Sequence, residues 1–105
     1  MNPIPIDFDS AHAAIVRLFD IARSDTGQAR RVANFLLAWW NGPDNGHFEI
    51  VDLFGLDGAI AADITTVVGF LGPHPGAIYI DGLGFGDDIQ AIIALRRNSA
   101  KSVAA

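Results

Sequence analysis

Three histidines, His12, His47 and His74, and twelve carboxylates are the groups that could carry acid–base or metal chemistry in this 105-residue chain. No two histidines stand at the spacing of a metal-binding pair. Cysteine is absent, which excludes thiolate nucleophiles, disulfides and cysteine-ligated metals. A histidine meeting Asp44 or Asp81 in space is the residual metal reading, and isolated loop or surface histidines are the plainer one. Paired acids such as Asp52 with Asp57, or Asp81 with Asp88, could divide general acid and base work if burial separated their pKa values. Asp57 and Asp87 are explained more cheaply as helix caps. Ser10, Ser24, Thr65 and Thr66 have no histidine near them in sequence to activate a hydroxyl. The chain therefore reads as non-enzymatic, with no catalytic residue, metal or cofactor assigned and a small metal-assisted hydrolase as the alternative.

The stretch Gly82-Leu83-Gly84-Phe85-Gly86-Asp87-Asp88 superficially suggests a phosphate loop opening a helix. Its glycine spacing fits no dinucleotide fingerprint, it lacks the Lys-Ser/Thr pair of a P-loop, and two aspartates stand where phosphate would sit. A turn with positive-φ glycines ahead of a helix is expected. Trp39 and Trp40 are adjacent, and neighbours on a helix point about 100° apart, so both rings cannot share one narrow buried stripe. Trp40 is the expected surface anchor, the competing reading being a helix buried on a broad face. Arg17, Arg23, Arg30 and Arg31 could make a basic face that contacts nucleic acid weakly. Against recognition of DNA, the segment after Arg31 is densely apolar from Val32 to Trp40, where a reading helix needs polar side chains.

Four helices are predicted to position these groups. The first follows an N-cap at Asp9 or Ser10 and runs from Ala11 to about Arg23, with Ile15, Leu18, Phe19 and Ala22 on its buried stripe. After a short break, Asp25 or Thr26 caps a second helix through Ala29 to Trp40, Asp25 and Gln28 having capping-box spacing. Its stripe is Val32, Phe35, Leu36 and Trp39, and Asn41-Gly42-Pro43 and Asp44-Asn45-Gly46 are read as its stop and a turn. A third helix from Gly58 to about Leu71 buries Ile60, Ile64, Val67, Val68 and Leu71. The last starts near Asp87 or Asp88 and reaches about Asn98, with Phe85, Ile89, Ile92 and Ile93 apolar and Arg96 and Arg97 at its end. His47 to Val51 and Ala77 to Ile80 are extended enough to pair as a minor two-stranded antiparallel element. The expected architecture is mainly α, a compact bundle of about four helices in a single domain spanning 1–105, with 1–8 an extended arm and 99–105 a frayed tail.

A domain of this length hides about 65% of its unfolded surface, enough for a true core. Half the residues are apolar, 18% are charged and mean hydropathy is +0.31, so disorder is excluded and some apolar surface is expected to await a partner. Met1 to Asp9 has no Lys or Arg, unlike a secretory or transit signal, so the mature chain is expected to begin here and to stay in the cytoplasm. Gly and Pro interrupt the uncharged stretch from Ile64 to Ile80, which argues against a membrane span. Net charge is −5, and Val32 to Leu95 holds eight acids and no Lys or Arg. Such a surface repels phosphate backbones and favours a basic partner.

The run Asp25-Thr26-Gly27-Gln28-Ala29-Arg30-Arg31-Val32-Ala33-Asn34-Phe35-Leu36-Leu37-Ala38-Trp39-Trp40-Asn41, with Phe48, Asp52-Leu53-Phe54, Asp57 and Gly82-Leu83-Gly84-Phe85-Gly86, resembles a short uncharacterised family of proteobacterial integrative elements, plasmids and prophages. The similarity spans roughly Ala22 to Arg97, and this chain departs from it at Gly72 to Tyr79, where members carry an aromatic-rich segment. The resemblance implies genomic company and no catalytic residue. Accessory proteins of that kind are often inhibitors of host defence, of the anti-CRISPR type among others, acting by covering a target surface. The expected partner is a basic protein surface, such as a nucleic-acid-binding defence complex, met by Asp44, Glu49, Asp52, Asp81, Asp87, Asp88 and Trp40. A homodimer sealed by the second or fourth helix is the self-associating alternative.

Overall fold

Asp7, ahead of the expected caps Asp9 and Ser10, begins the first helix, α1 (Phe8–Ala22). Its backbone is extended and its Oδ1 accepts the Ser10 N–H at 2.6 Å, satisfying one of the orphan donors of the first turn. The computed structural model describes residues 6–45 and 48–104, with side chains over 6–40 and 48–96. Phe8 is already helical, which shortens the expected arm, and residues 1–5 lie outside the described residues. The Ser10 N–H, then its hydroxyl, holds the Asp7 carboxyl below its ordinary 3.8. Because folding depresses this pKa, the cap stabilises above the unfolded value and is lost as pH falls through the folded one. Asp7→Asn, a neutral acceptor, is therefore expected to flatten the acid limb of melting temperature against pH below 3.8. Superimposable acid limbs for the two proteins would contradict the cap.

The remaining elements are α2 (Ala29–Asn45), the 3-10 helix η1 (Ile50–Gly55), α3 (Gly58–Leu71), the 3-10 helix η2 (Ile80–Leu83) and α4 (Gly86–Ala104). The chain is mainly helical, as its periodicity predicts. α1 buries Ala11, Ala14, Ile15, Leu18, Phe19 and Ala22, a stripe at helical spacing that packs against both α2 and α3. α2 also packs on α4 and η2, and η2 on α4, so one core joins all four long helices. The expected stripes of α2 and α4 are buried at Val32, Phe35, Leu36, Phe85, Ile89, Ile92 and Ile93, with Leu37 widening that of α2. In α3 Ile60, Ile64 and Val67 are buried, but Val68 is half exposed, contrary to expectation. The Thr65 and Thr66 hydroxyls bond to the carbonyls of Ala61 and Ala62, satisfying themselves within the helix.

Several expected boundaries differ. α2 passes through Asn41-Gly42-Pro43 to Asn45: a proline φ is compatible with helix, and the bond given up to the carbonyl four residues back falls in the last turn, where its cost is smaller than in the helix interior. Asp44 and Asn45 thus stand in the helix instead of a turn, while Gly46 and His47 lie outside the described residues. α4 begins at Gly86 and continues beyond Asn98 to Ala104, through a segment without Gly or Pro, so Arg96 is interior to the helix and 99–104 is helical. No strand occurs among the described residues: 50–55 and 80–83 coil into 3-10 turns, and the Ile78 carbonyl accepts the Trp39 indole N–H at 3.0 Å. Gly84, at φ 94, closes η2 in the left-handed conformation, and the Phe85 N–H returns to the Ile80 carbonyl at 3.2 Å. The glycine-rich stretch is thus a turn that delivers Phe85 to the core.

Candidate functional site

Ion pairs set what remains available on the surface. Arg17 forks onto Asp63, with nitrogen–oxygen distances of 3.0 and 2.8 Å, and joins α1 to α3. This hydrogen bonding, then the carboxylate's charge, raises the Arg17 pKa above its ordinary value. Arg23 reaches Asp88 at 3.2 Å and Asp20 at 3.6 Å, tying α1 to the start of α4. Arg31 lies 3.9 Å from Asp52. The four arginines read as a basic face are therefore dispersed: Arg17 and Arg31 meet carboxylates on different elements, and Arg23 borders a cavity with Arg30.

The expected acidic surface is divided in the same way. Asp52 and Asp88 are partly compensated by Arg31 and Arg23. Glu49 precedes η1 and Asp52 lies within its first turn, while exposed Asp81 and Asp87 stand with Asp88 around the η2–α4 junction. The Asp44 side chain lies outside the described residues. Asp57 occupies the N-cap position of α3 without a side-chain cap bond, and Asp87 and Asp88 fall in the first turn of α4, where the helix dipole favours them. Gln28, the presumed partner of Asp25 in a capping box, instead accepts the Asp57 N–H at 2.6 Å. Trp39 and Trp40 are both half buried and pack against the core, so neither ring stands fully out. α2 buries a broad face, the competing reading of the two adjacent tryptophans.

His12 sits between the rings of Phe8 and Phe85, with centroids 5.6 and 5.0 Å away, and His74 approaches the Gly76 carbonyl at 3.2 Å. Among the described residues no three histidine or carboxylate groups gather as a metal site.

The feature that does stand out is η1. Ile50 is 76% exposed, Val51 61% and Phe54 90%, three large apolar side chains within five residues. Other exposed apolar residues, such as Phe8, Val68 and Leu95, belong to different elements. In a 3-10 helix residues three apart eclipse, so Val51 and Phe54 form one outward ridge with Ile50 beside it. Phe48, Leu53 and Leu56 pack inward on the core, and the Phe48 ring meets Phe35 edge-on at 5.6 Å. The turn is pinned to the start of α2 by Gln28 and by the Arg31 guanidinium, which lies over Gly55 so closely that a Cβ there would stand 2.9 Å from Cζ. The ridge is thus a supported surface feature. The alternation of Phe48 and Ile50 suggested a strand and hid it; the usable signal was the pairing Ile50-Val51 and Leu53-Phe54, an apolar repeat of three.

No curated protein and no solved structure matches the chain. A match to a family profile extends from His12 in α1 to Arg97 in α4, taking in η1, η2 and all four long helices. The chain belongs to that family, the "Family of unknown function (DUF7673)", over residues 12–97.

Proposed function

We propose that this protein is a non-enzymatic binding module that docks a protein partner through Ile50, Val51 and Phe54. The observation that carries the reading is the 90% exposure of Phe54 on a turn whose other side is anchored in the core. With the backbone of the turn anchored by its neighbours, only the Phe54 rotamer has to be ordered when the ring enters an apolar pocket, which keeps the cost of binding low. Glu49 beside the ridge and a net charge of −5 select a partner whose pocket has a basic rim. The same charge disfavours a second copy, since a two-fold seam across η1 would bring Glu49 towards its own mate.

In the role suggested by the resemblance, an accessory protein of a mobile element that inhibits host defence, the basic rim would be Lys and Arg side chains that otherwise hold nucleic acid. Exposed Asp81 and Asp87 would add to the attraction at longer range. The test is affinity capture of a host protein with the wild-type chain, followed by binding of that recovered partner to wild-type and Phe54→Asp proteins. Loss of binding with an unchanged circular-dichroism spectrum supports the reading, and undiminished binding overturns it.

A further inference from the structure

A cavity of about 270 Å³ lies between the end of α1, the start of α2 and the middle of α4. Arg23, Arg30 and Arg96 line it, with Asp25 as the acid among its walls. Three guanidiniums against one carboxylate give this hollow a net positive lining on a protein of net charge −5. Arg23 is shared with Asp88 and Asp20, but neither Arg30 nor Arg96 enters an ion pair among the described residues. The Arg96 Nε is buried and has no hydrogen-bond partner among them. An orphaned buried donor is costly, and costlier when its group is charged. Burial, and then the charge of Arg30, holds the Arg96 pKa below its ordinary value, so the two cations oppose each other beside a space whose one lining carboxylate among the described residues is Asp25.

We propose that the cavity bordered by Arg23, Arg30 and Arg96 binds a small phosphate-bearing anion, either free phosphate or a small phosphate monoester. A dianion balances the Arg30 and Arg96 guanidiniums, which no ion pair among the described residues compensates. Ala29 and Arg30, in the first turn of α2, also line the cavity; the Ala29 N–H is taken by the Thr26 carbonyl at 3.2 Å, so the favourable helix dipole is what this end adds to the arginines. Ser24 and Thr26 lie 3.1 Å apart through their hydroxyls, and Ser24 also bonds to the Ile21 carbonyl, which fixes the rim. The volume falls just below the roughly 300–1,000 Å³ of pockets for larger ligands and suits a phosphate with a small substituent. Asp20 and Asp88, held against Arg23, and Asp25 on the wall discourage a nucleic-acid strand, whose neighbouring phosphates would have to pass them.

The test is titration of the full chain at constant ionic strength with inorganic phosphate, glycerol phosphate and a single-stranded DNA oligomer, following backbone and arginine Nε resonances by NMR. A saturable shift of Arg96 Nε and of the Ala29 and Arg30 amides is expected. Tighter saturation by glycerol phosphate identifies a monoester as the ligand, and equal or tighter saturation by phosphate identifies the free anion. Arg30 is exposed, so Arg30→Gln leaves the fold intact and weakens binding by about tenfold or more. Arg96→Lys keeps a charge but loses the planar fork, and weakens it similarly. Arg17→Gln, which removes a guanidinium pointed at Asp63, leaves affinity unchanged. Absence of saturable shifts, identical titrations for wild type and Arg30→Gln, or tighter binding of the DNA than of either small anion would each overturn the proposal.

Discussion

Phe19→Ala lowers the unfolding free energy by about 3–5 kcal/mol in urea or guanidinium titrations, the range for removing a fully buried aromatic ring. Phe19 is 1% exposed, and its ring stacks on Phe85 with centroids 5.3 Å apart and planes at 18°. Phe85 in turn meets His12, and the Arg23 guanidinium lies 5.6 Å from the Phe19 ring centre. One side chain therefore joins α1 to the η2–α4 turn, and its deletion opens a cavity bounded by two helices that cannot easily collapse. A domain of this size has about 5–15 kcal/mol in total, so the variant should be visibly less stable and, at the upper end of the cost, largely unfolded. A loss below about 1 kcal/mol would mean that the contact between α1 and the η2–α4 turn is not part of the core.

Phe54→Asp should do the reverse, costing at most about 0.5 kcal/mol of stability while weakening partner binding by at least about 2 kcal/mol, roughly thirtyfold. The contrast follows from exposure. At 90% accessibility the ring contributes almost no burial to the folded monomer, so its removal is nearly free until a partner covers it. Equilibrium binding of the recovered partner and a thermal melt check the two halves separately. A large fall in melting temperature would show Phe54 to be structural, and retained affinity would remove it from the interface.

The four long helices were legible because a 3.6-residue apolar repeat reports burial from local sequence alone: Ile15, Leu18, Phe19 and Ala22 are buried as their spacing requires. What escaped depended on distant partners. Asp25 and Gln28 have capping-box spacing, yet Gln28 turns to the Asp57 backbone, 29 residues away. Segments with strand-like composition at 47–51 and 77–80 could form a ribbon only by finding each other; the Ile78 carbonyl is taken by Trp39, and the later chain coils from Ile80. Charge was misleading for a related reason. Acids and cations are segregated along the sequence, but folding brings Arg17 to Asp63 and Arg23 to Asp88 across 46 and 65 residues, which breaks up the apparently continuous acidic skin. Arg96 was read as a cation at a helix end; the longer α4 makes it an interior residue on a cavity wall.

The most direct measurement on the proposed docking function is photo-crosslinking from position 54, with a photoreactive amino acid in place of Phe54 in cells that express the protein naturally. The expected result is one discrete adduct with another protein, abolished when Ile50→Asp is added to the same chain. Crosslinks only to a second copy, or an adduct that survives Ile50→Asp, would contradict the account.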